Sequence, residues 1–332
     1  MCGICGFTGY RQDQKTVIER MMKAIAHRGP DSEGSFCREK ITLGFRRLSI
    51  IDLEDGQQPM ESADGNLHIV FNGEIYDYKE LREELEASGI SFRTHSDTEV
   101  LVNTIQQYGE KALDKLRGMF GFAVWNEQEQ TLMLARDFFG VKPVYYAEID
   151  GHFVFASEIK SILAFPGYER KVNQKALEQY LSFQYSPLEE TFFKGIYKLM
   201  PGHMLLYKNG SYEIKTYFKP KLTPGKWDRK TNMDQLQSQL AEILKDSVKH
   251  HMLSDVEVGA FLSGGVDSGY LASASGADQA FTVGFDEGDR YSEINKAAKV
   301  AEKAGLRHHV KIISKQEFWD ALPDVMYHMD EP

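Results

Sequence analysis

The chain has 332 residues, a formal net charge of -10, and 42% hydrophobic and 27% charged side chains, enough apolar material for a large core and for two domains. This composition excludes intrinsic disorder, collagen and a disulfide scaffold, and the acidic balance argues against nucleic acid as a partner. No apolar run approaches the roughly 20 residues of a membrane span, and no secretory leader is recognisable. The three cysteines suit a reducing compartment. We therefore expect a cytoplasmic protein without a membrane partner.

The first part of the chain shows the patterns of strands with helices set among them. Helices are predicted at residues 17–26 and 78–88, the second ending before Gly89, and Ser96-Asp97-Thr98-Glu99 has the form of a capping box at the start of a third. Because the strands cluster instead of alternating with helices, we expect an α+β domain of packed sheets flanked by helices. The predicted strands are residues 41–45, 67–71, 119–125, 131–135 and 153–156.

A change of pattern marks a second domain. Residues 211–232 hold two prolines, a glycine and many charges, which predicts a linker between domains at residues 2–210 and 233–332. Helices and strands then alternate, which predicts an α/β parallel sheet of the nucleotide-binding kind. Three strands would leave an unpaired edge, so we expect this domain to be incomplete. The predicted elements are helix 233–253, strand 256–262, helix 266–275, strand 280–285, helix 293–304 and strand 308–313.

Cys2 is the first candidate for chemistry. If Met1 is removed, Cys2 carries both a thiol and an α-amine whose unperturbed pKa is roughly 7.7–8.0, so one residue supplies a nucleophile and its base. The alternatives are a residue without a role, a lipid anchor, and half of a metal or redox pair with Cys5. The lipid alternative lacks a preceding hydrophobic signal, and the zinc alternative lacks a second pair of ligands.

Other polar residues have the chemistry of a substrate site around that thiol. Arg47, which follows a predicted strand, could clamp a carboxylate. Asn72 and Gly73 follow another strand and form either an ordinary turn or a pair of donors for the oxyanion that acyl transfer to a thiol generates. Asp97 is not needed for the helix cap, so Asp97 and Glu74 could bind the ammonium group of an amino acid.

The segment Ser263-Gly264-Gly265-Val266-Asp267-Ser268 lies between a predicted strand and a predicted helix. Its glycines allow close backbone approach, and the helix N-terminus offers N–H groups and a positive dipole to an anion, which predicts a phosphate site. The alternative is a plain glycine-rich turn. The segment is not a Walker A loop, because no Gly-Lys-Ser/Thr follows.

The order of the motifs MCGICG, HRGPD, RLSI, FNGEIYDY, SDTE and RGMFGFAVW resembles that of the N-terminal-nucleophile glutamine amidotransferases, over residues 1–207. SGGVDS resembles the pyrophosphate loop of ATP pyrophosphatases, and the combination is similar to the glutamine-dependent asparagine synthetase family. That resemblance implies an αββα sandwich in which Cys2 releases ammonia from glutamine through a thioester. It also implies an ATP-pyrophosphatase domain in which ammonia attacks a β-aspartyl adenylate to give asparagine, AMP and pyrophosphate.

The resemblance also implies particular site residues and small molecules. The catalytic residues are Cys2 and, as the oxyanion hole, Asn72 and Gly73. Asp267 would lie near Mg²⁺. The substrates would be ATP, glutamine and aspartate, and no prosthetic group is implied. A homodimer fits the family. Glutamine would be bound by Arg47, Leu48, Ser49, Ile50, Ile51, Asn72, Gly73, Glu74 and Asp97. ATP would be bound by Leu262, Ser263, Gly264, Gly265, Val266, Asp267, Ser268 and Val283.

Two other functions stay open at this point. One is an amidotransferase of the same family that acts on another carboxylate acceptor, because the acceptor pocket is expected to lie largely beyond Pro332. The other is a non-catalytic module that senses glutamine or a nucleotide. Retention of Met1 would favour the second, because it blocks the free amine of Cys2.

Overall fold

The computed structural model describes residues 1–222, 232–286 and 292–331, and the chain divides into two compact units. The first unit comprises Met1–Pro220 and the segment that begins at Asp330, and the second comprises Lys221–Met329. Residues 223–231 of the predicted linker lie outside the described residues. The predicted start of the linker at residue 211 is wrong, because Ser211–Thr216 is a strand that pairs with His203–Lys208.

The first unit contains most of the secondary structure. Its elements in chain order are β1 (Gly3–Thr8), α1 (Gln14–Ala24), β2 (Ser32–Cys37), β3 (Ile41–Arg47), β4 (Met60–Glu61), β5 (Leu67–Ile75), α2 (Tyr78–Ala87), α3 (Asp97–Tyr108), β6 (Gly118–Asn126), β7 (Thr131–Arg136), β8 (Tyr145–Ile149), β9 (His152–Ala156), α4 (Ile159–Leu163), α5 (Gln174–Phe183), β10 (Ile196–Lys198), β11 (His203–Lys208) and β12 (Ser211–Thr216). The predicted helices and strands are all present, with ends that differ by a few residues.

Within residues 1–222, the strands form two six-stranded antiparallel sheets that face each other. One has the order β10-β8-β9-β1-β3-β2 and the other the order β12-β11-β7-β6-β5-β4. Apolar side chains of both sheets share one core, α1 and α4 pack on the outer face of the first sheet, and α2 and α3 pack on the outer face of the second. The predicted αββα sandwich is therefore confirmed.

Strand β9 shows why the sequences of these strands are continuous apolar runs. Phe153 and Phe155 point into the core between the sheets, whereas Val154 and Ala156 point towards the helices. Successive side chains of a strand alternate between its faces, and here both faces are covered, so polar residues do not alternate with apolar ones.

Strand β5 runs further than its sequence predicts. The ordinary turn, one of the two alternatives for Asn72-Gly73, is absent, because β5 continues to Ile75 and Gly73 pairs with Phe120 of β6. A Cβ atom on Gly73 would lie 2.2 Å from the carbonyl oxygen of Met119, so this position requires glycine for the close approach of the two strands.

The predicted capping box of α3 is half correct. The side chain of Ser96 caps the helix by accepting a hydrogen bond from the backbone N–H of Thr98 at 3.1 Å. Glu99 does not reach back to the N–H of Ser96, which donates instead to Oγ1 of Thr94. The buried carboxylate of Glu99 accepts hydrogen bonds from the backbone N–H groups of Arg93 and Thr94, so it fastens the preceding loop over the helix start.

The second unit alternates helices and strands, as predicted. Its described elements are α6 (Met233–His251), β13 (Ala260–Phe261), α7 (Val266–Ser275), β14 (Gln279–Phe285), α8 (Ile294–Ala304), β15 (Arg307–Ile313) and α9 (Lys315–Met329). Among described residues, β13, β14 and β15 form a parallel sheet in that order, which confirms the α/β prediction. The strand predicted at 256–262 is shorter, because only Ala260 and Phe261 pair with β14. In the described parts of the chain, no helix is both long and apolar enough to cross a membrane.

Candidate active site

Cys2 immediately precedes β1 and contacts the first residue after β3. Its Sγ atom lies 3.4 Å from both the backbone nitrogen and the carbonyl oxygen of Leu48. Burial raises the pKa of the Cys2 thiol, and the hydrogen bond from Leu48 only partly offsets that effect. Burial also lowers the pKa of the Met1 α-amino group. The thiol therefore needs a base at neutral pH, and an amine at this end of the chain is more readily neutral than in water.

Two side chains hold the backbone of Cys2. Arg28 donates from Nε to the carbonyl oxygen of Cys2 at 2.8 Å. The amide of Asn72, in the orientation that satisfies both neighbours, donates to the same oxygen at 3.1 Å and accepts from Arg28 at 3.3 Å. Arg28 belongs to the HRGPD motif, but the sequence did not identify it as a contact of Cys2, because its partner lies 26 residues away on another element.

Most of the predicted glutamine-site residues meet in one narrow cavity of about 30 Å³. The exceptions are Ser49, whose backbone N–H donates to Asp31 at 2.8 Å, and Asn72, which reaches the carbonyl of Cys2 from β5. A larger cavity of about 660 Å³ in the same unit includes none of the predicted site residues. The predicted residues that line the narrow cavity are Cys2, Arg47, Leu48, Ile50, Ile51, Gly73, Glu74 and Asp97.

Arg47 is the positive group of this cavity. It is the last residue of β3, and its side chain is 4% exposed. Its guanidinium donates to the backbone carbonyls of Leu53 at 3.1 Å, Ile51 at 3.3 Å and Asp52. Arg47 therefore holds the loop that follows β3 while its charge faces the cavity.

Asp97 and Glu74 are the negative groups. Asp97 is the first residue of α3, is 5% exposed, and accepts a hydrogen bond from the backbone N–H of Ile75 at 3.0 Å. Burial raises the pKa of Asp97 to about 6. A cation and two carboxyl groups around one cavity match the carboxylate and ammonium groups of an amino acid, with a thiol placed at the same cavity.

The predicted phosphate loop joins β13 to α7 in the second unit. Gly264 has a φ of +74°, a backbone conformation that favours glycine, and Oγ of Ser263 lies 2.9 Å from Oγ of Ser268. Helix α7 begins after Gly265, and no side chain of that position caps it, an arrangement in which helix N-termini can bind anions. Val266 and Asp267 form the first turn of that helix.

The two residues predicted near adenosine differ in exposure. Leu262 follows β13 and is 2% exposed, and its side chain lies in a small core with Ala272 and Ala280. Its backbone N–H donates to the carbonyl of Phe281, and its carbonyl accepts from the hydroxyl of Thr282. Val283 lies in β14 and is 54% exposed. The side chain of Val283 is thus open to a ligand, whereas that of Leu262 supports the sheet.

The donor set for Mg²⁺ at this loop is small. Over residues 1–222, 232–286 and 292–331, no group of three or more His, Cys, Asp or Glu side chains is placed to hold a metal ion. Mg²⁺ keeps several waters and is often bound by one or two carboxylates together with substrate phosphates. Asp267 at a phosphate loop therefore fits an ion that arrives with a nucleotide.

Comparison with known proteins gives two family matches and close relatives. Residues 1–218 match the glutamine amidotransferase domain and residues 239–332 match asparagine synthase. Asparagine synthetase [glutamine-hydrolyzing] 1 of Bacillus subtilis (strain 168) is 42% identical over 99% of this chain and 53% of its own length. A putative asparagine synthetase [glutamine-hydrolyzing] 2 of Methanocaldococcus jannaschii is 33% identical over the whole of this chain and 68% of its own length.

A solved structure shares the fold. Glutamine phosphoribosylpyrophosphate amidotransferase from B. subtilis, complexed with ADP and GMP, aligns with a TM-score of 0.51 at 18% identity, over 93% of this chain and 65% of that one. At this identity the likeness concerns the fold alone. The chain spans about half the length of the first curated relatives it matches.

Proposed function

The chain belongs to the glutamine-hydrolysing asparagine synthetase family, and we propose that its first unit hydrolyses glutamine to glutamate and ammonia with Cys2 as the nucleophile. The observation that supports this proposal is that the thiol of Cys2, the guanidinium of Arg47 and the carboxyl groups of Glu74 and Asp97 line one cavity. Arg47 would bind the α-carboxylate of glutamine, and Glu74 and Asp97 would bind its α-ammonium group. These contacts would direct the side-chain amide of glutamine towards the sulfur.

Removal of Met1 would give Cys2 a free α-amine. The neutral amine takes the thiol proton as sulfur attacks the amide carbon of glutamine, and the resulting ammonium returns that proton to the leaving nitrogen. Ammonia departs and a γ-glutamyl thioester remains. Water then attacks the thioester while the amine takes a proton from it, the sulfur leaves and is reprotonated, and glutamate is released.

Asn72 and Gly73 would stabilise the oxyanion of each tetrahedral intermediate. The amide of Asn72 has two N–H donors, so it can hold the carbonyl of Cys2 with one and face the oxyanion with the other. The backbone of Leu48, Ser49, Ile50 and Ile51 would line the bound substrate. The cavity of about 30 Å³ holds a few waters at most, and Arg47 holds the loop beside it through the carbonyls of Leu53 and Ile51.

The second unit would belong to the part of the protein that uses ammonia. We infer that residues 263–268 bind the phosphates of ATP, with Asp267 near Mg²⁺ and Val283 and Leu262 near the adenosine. Mg²⁺ would neutralise phosphate charge. In the complete reaction, glutamine, aspartate, ATP and water would give glutamate, asparagine, AMP and pyrophosphate.

Glutamate release by the purified chain tests the proposal. The chain with Met1 removed is expected to convert glutamine to glutamate, and Cys2→Ala should abolish this activity. Cys37→Ala is the matched control, because Cys37 is also a free and partly exposed cysteine but does not line the cavity. Glutamate release by Cys2→Ala at the rate of the unsubstituted chain would contradict Cys2 as the nucleophile, and no release by either chain would favour a module that only binds glutamine.

A further inference from the structure

A series of buried charges connects Asp330 to the backbone of Cys2. The chain re-enters the first unit at Asp330, directly after Met329 of the second unit. The carboxylate of Asp330 accepts hydrogen bonds from the backbone N–H groups of Ile159, at 2.6 Å, and Lys160, at 3.3 Å. It also pairs with Nζ of Lys160 at 2.9 Å.

The series continues from Lys160 to Cys2. Lys160 pairs with Glu158, and Glu158 accepts from Nη1 of Arg28 at 2.8 Å. Arg28 donates from Nε to the carbonyl oxygen of Cys2 at 2.8 Å. Consecutive ion pairs and one hydrogen bond therefore join the carboxylate of Asp330 to the residue that carries the nucleophile.

The same segment is fastened to β1 by backbone groups. The N–H of Ser157 donates to the carbonyl of Ile4 at 2.8 Å, and the N–H of Ile4 donates to Oγ of Ser157 at 3.0 Å. Residues 157–160 thus contact both the beginning of β1 and the side chain that holds Cys2. A shift of this segment would move the nucleophile.

Burial makes these charges depend on one another. The side chains of Arg28, Glu158, Lys160 and Asp330 are each at most 9% exposed, and their two positive and two negative charges cancel. Burial opposes ionisation of Glu158, but Lys160 and Arg28 outweigh it and lower its pKa. Burial raises the pKa of Asp330. Loss of either carboxylate would leave an unbalanced buried charge, and the remaining pairs would have to rearrange.

We propose that Asp330 is a positioning residue for the cleavage of glutamine. It holds Lys160 and the start of α4 in the arrangement that lets Glu158 fix Arg28 against Cys2. This inference rests on the proposed glutaminase function. Because Asp330 follows the second unit in the chain, glutamine cleavage then depends on how the segment after that unit is seated.

The test compares Asp330→Asn with Glu331→Gln in the full chain. Glu331 is the adjacent, partly buried acidic residue and has no part in the series, so it controls for seating of the segment. The measurements are kcat and KM for glutamine, the rate at which iodoacetamide alkylates the Cys2 peptide, and the melting temperature. Alkylation needs no bound glutamine, so it reports on the nucleophile alone.

We expect Asp330→Asn to lower kcat roughly tenfold while KM changes less than about twofold, since misplacing a nucleophile costs rate more than binding. The rate at which Cys2 of Asp330→Asn is alkylated should change together with kcat. Glu331→Gln should match the wild type in both measurements. The double variant Lys160→Met/Asp330→Asn removes one charge of each sign, so it should be more active than Asp330→Asn alone.

Two results would overturn the inference. One is that Asp330→Asn matches Glu331→Gln in both kcat and alkylation rate. The other is that both variants lose activity in proportion to a lower melting temperature, which would indicate a structural role only. A wild-type chain without glutaminase activity would contradict the proposed function instead, and the alkylation rates would still decide whether Asp330 positions Cys2.

Discussion

Substituting Asp97 with asparagine is expected to stabilise the first unit at neutral pH and to weaken glutamine binding. Asp97 is 5% exposed, and burial raises its pKa from 3.8 to about 6. A pKa difference of that size between the folded and unfolded states contributes roughly 3 kcal/mol to the free energy of unfolding. A raised pKa means that the folded state holds the proton more tightly, so this stability is present at low pH and is lost as pH rises, mostly between pH 4 and pH 6.

The substituted chain lacks this titration. The amide introduced by Asp97→Asn would remain neutral and could still accept the hydrogen bond from Ile75. The free energy of unfolding of Asp97→Asn, minus that of the wild type, should therefore rise by roughly 3 kcal/mol from about pH 3 to about pH 7. Urea unfolding can be monitored by the fluorescence of the buried Trp125. This signal reports on the first unit when Trp227 and Trp319 are replaced by Phe.

Glutamine binding should show the opposite trend. The carboxylate of Asp97 is needed for the ammonium group of glutamine, so the KM of the wild type should rise as pH falls through about 6, and Asp97→Asn should have a high KM that lacks this dependence. Asp77→Asn is the matched control, because burial also raises the pKa of Asp77 but the residue lies outside the cavity. A difference in unfolding free energy that does not change with pH would show that Asp97 does not titrate in this range.

Three further predictions concern the two sites and the phosphate loop. In the longer protein, Cys2→Ala should abolish asparagine formation from glutamine but leave formation from added ammonia, and equal loss of both, measured as asparagine produced, would contradict separate sites. Asp267→Asn should spare glutamate release but impair exchange between ATP and pyrophosphate; unchanged exchange would remove Asp267 from the mechanism. Gly264→Ala should destabilise the second unit by roughly 1–3 kcal/mol, because φ is +74° and the new Cβ would lie 2.8 Å from Cβ of Lys296. Urea unfolding monitored by the fluorescence of Trp319, with Trp125 and Trp227 replaced by Phe, checks this, and an unchanged midpoint would show that the loop relaxes.

The elements that sequence predicts best are those with local end signals. Helix α7 has the predicted bounds, because Gly265 precedes it and Gly276, at a φ of +68°, ends it. Strand β5 is the contrary case. Asn72-Gly73 is a strong turn signal, but pairing of Gly73 with Phe120 extends the strand, so a contact between strands outweighs the local preference.

The residues around Cys2 could be predicted only in part. The resemblance identified Arg47, Glu74 and Asp97, which line the cavity, whereas local patterns left several roles open for each. The contact between Arg28 and Glu158 joins residues 130 positions apart. No periodicity or short motif records such a contact, because it depends on the order of the strands in the sheet.

Detection of the acyl-enzyme is the sharpest test of Cys2 as the nucleophile. The purified chain would be mixed with glutamine, quenched in acid and digested, and the N-terminal peptide analysed by mass spectrometry. We expect a peptide that begins at Cys2 and carries a γ-glutamyl group on its sulfur, which disappears when the quench is delayed until glutamine is exhausted. Cys2 would not be the nucleophile if a chain that releases glutamate kept Met1 on its N-terminal peptide. The same would follow if that peptide never carried the γ-glutamyl group.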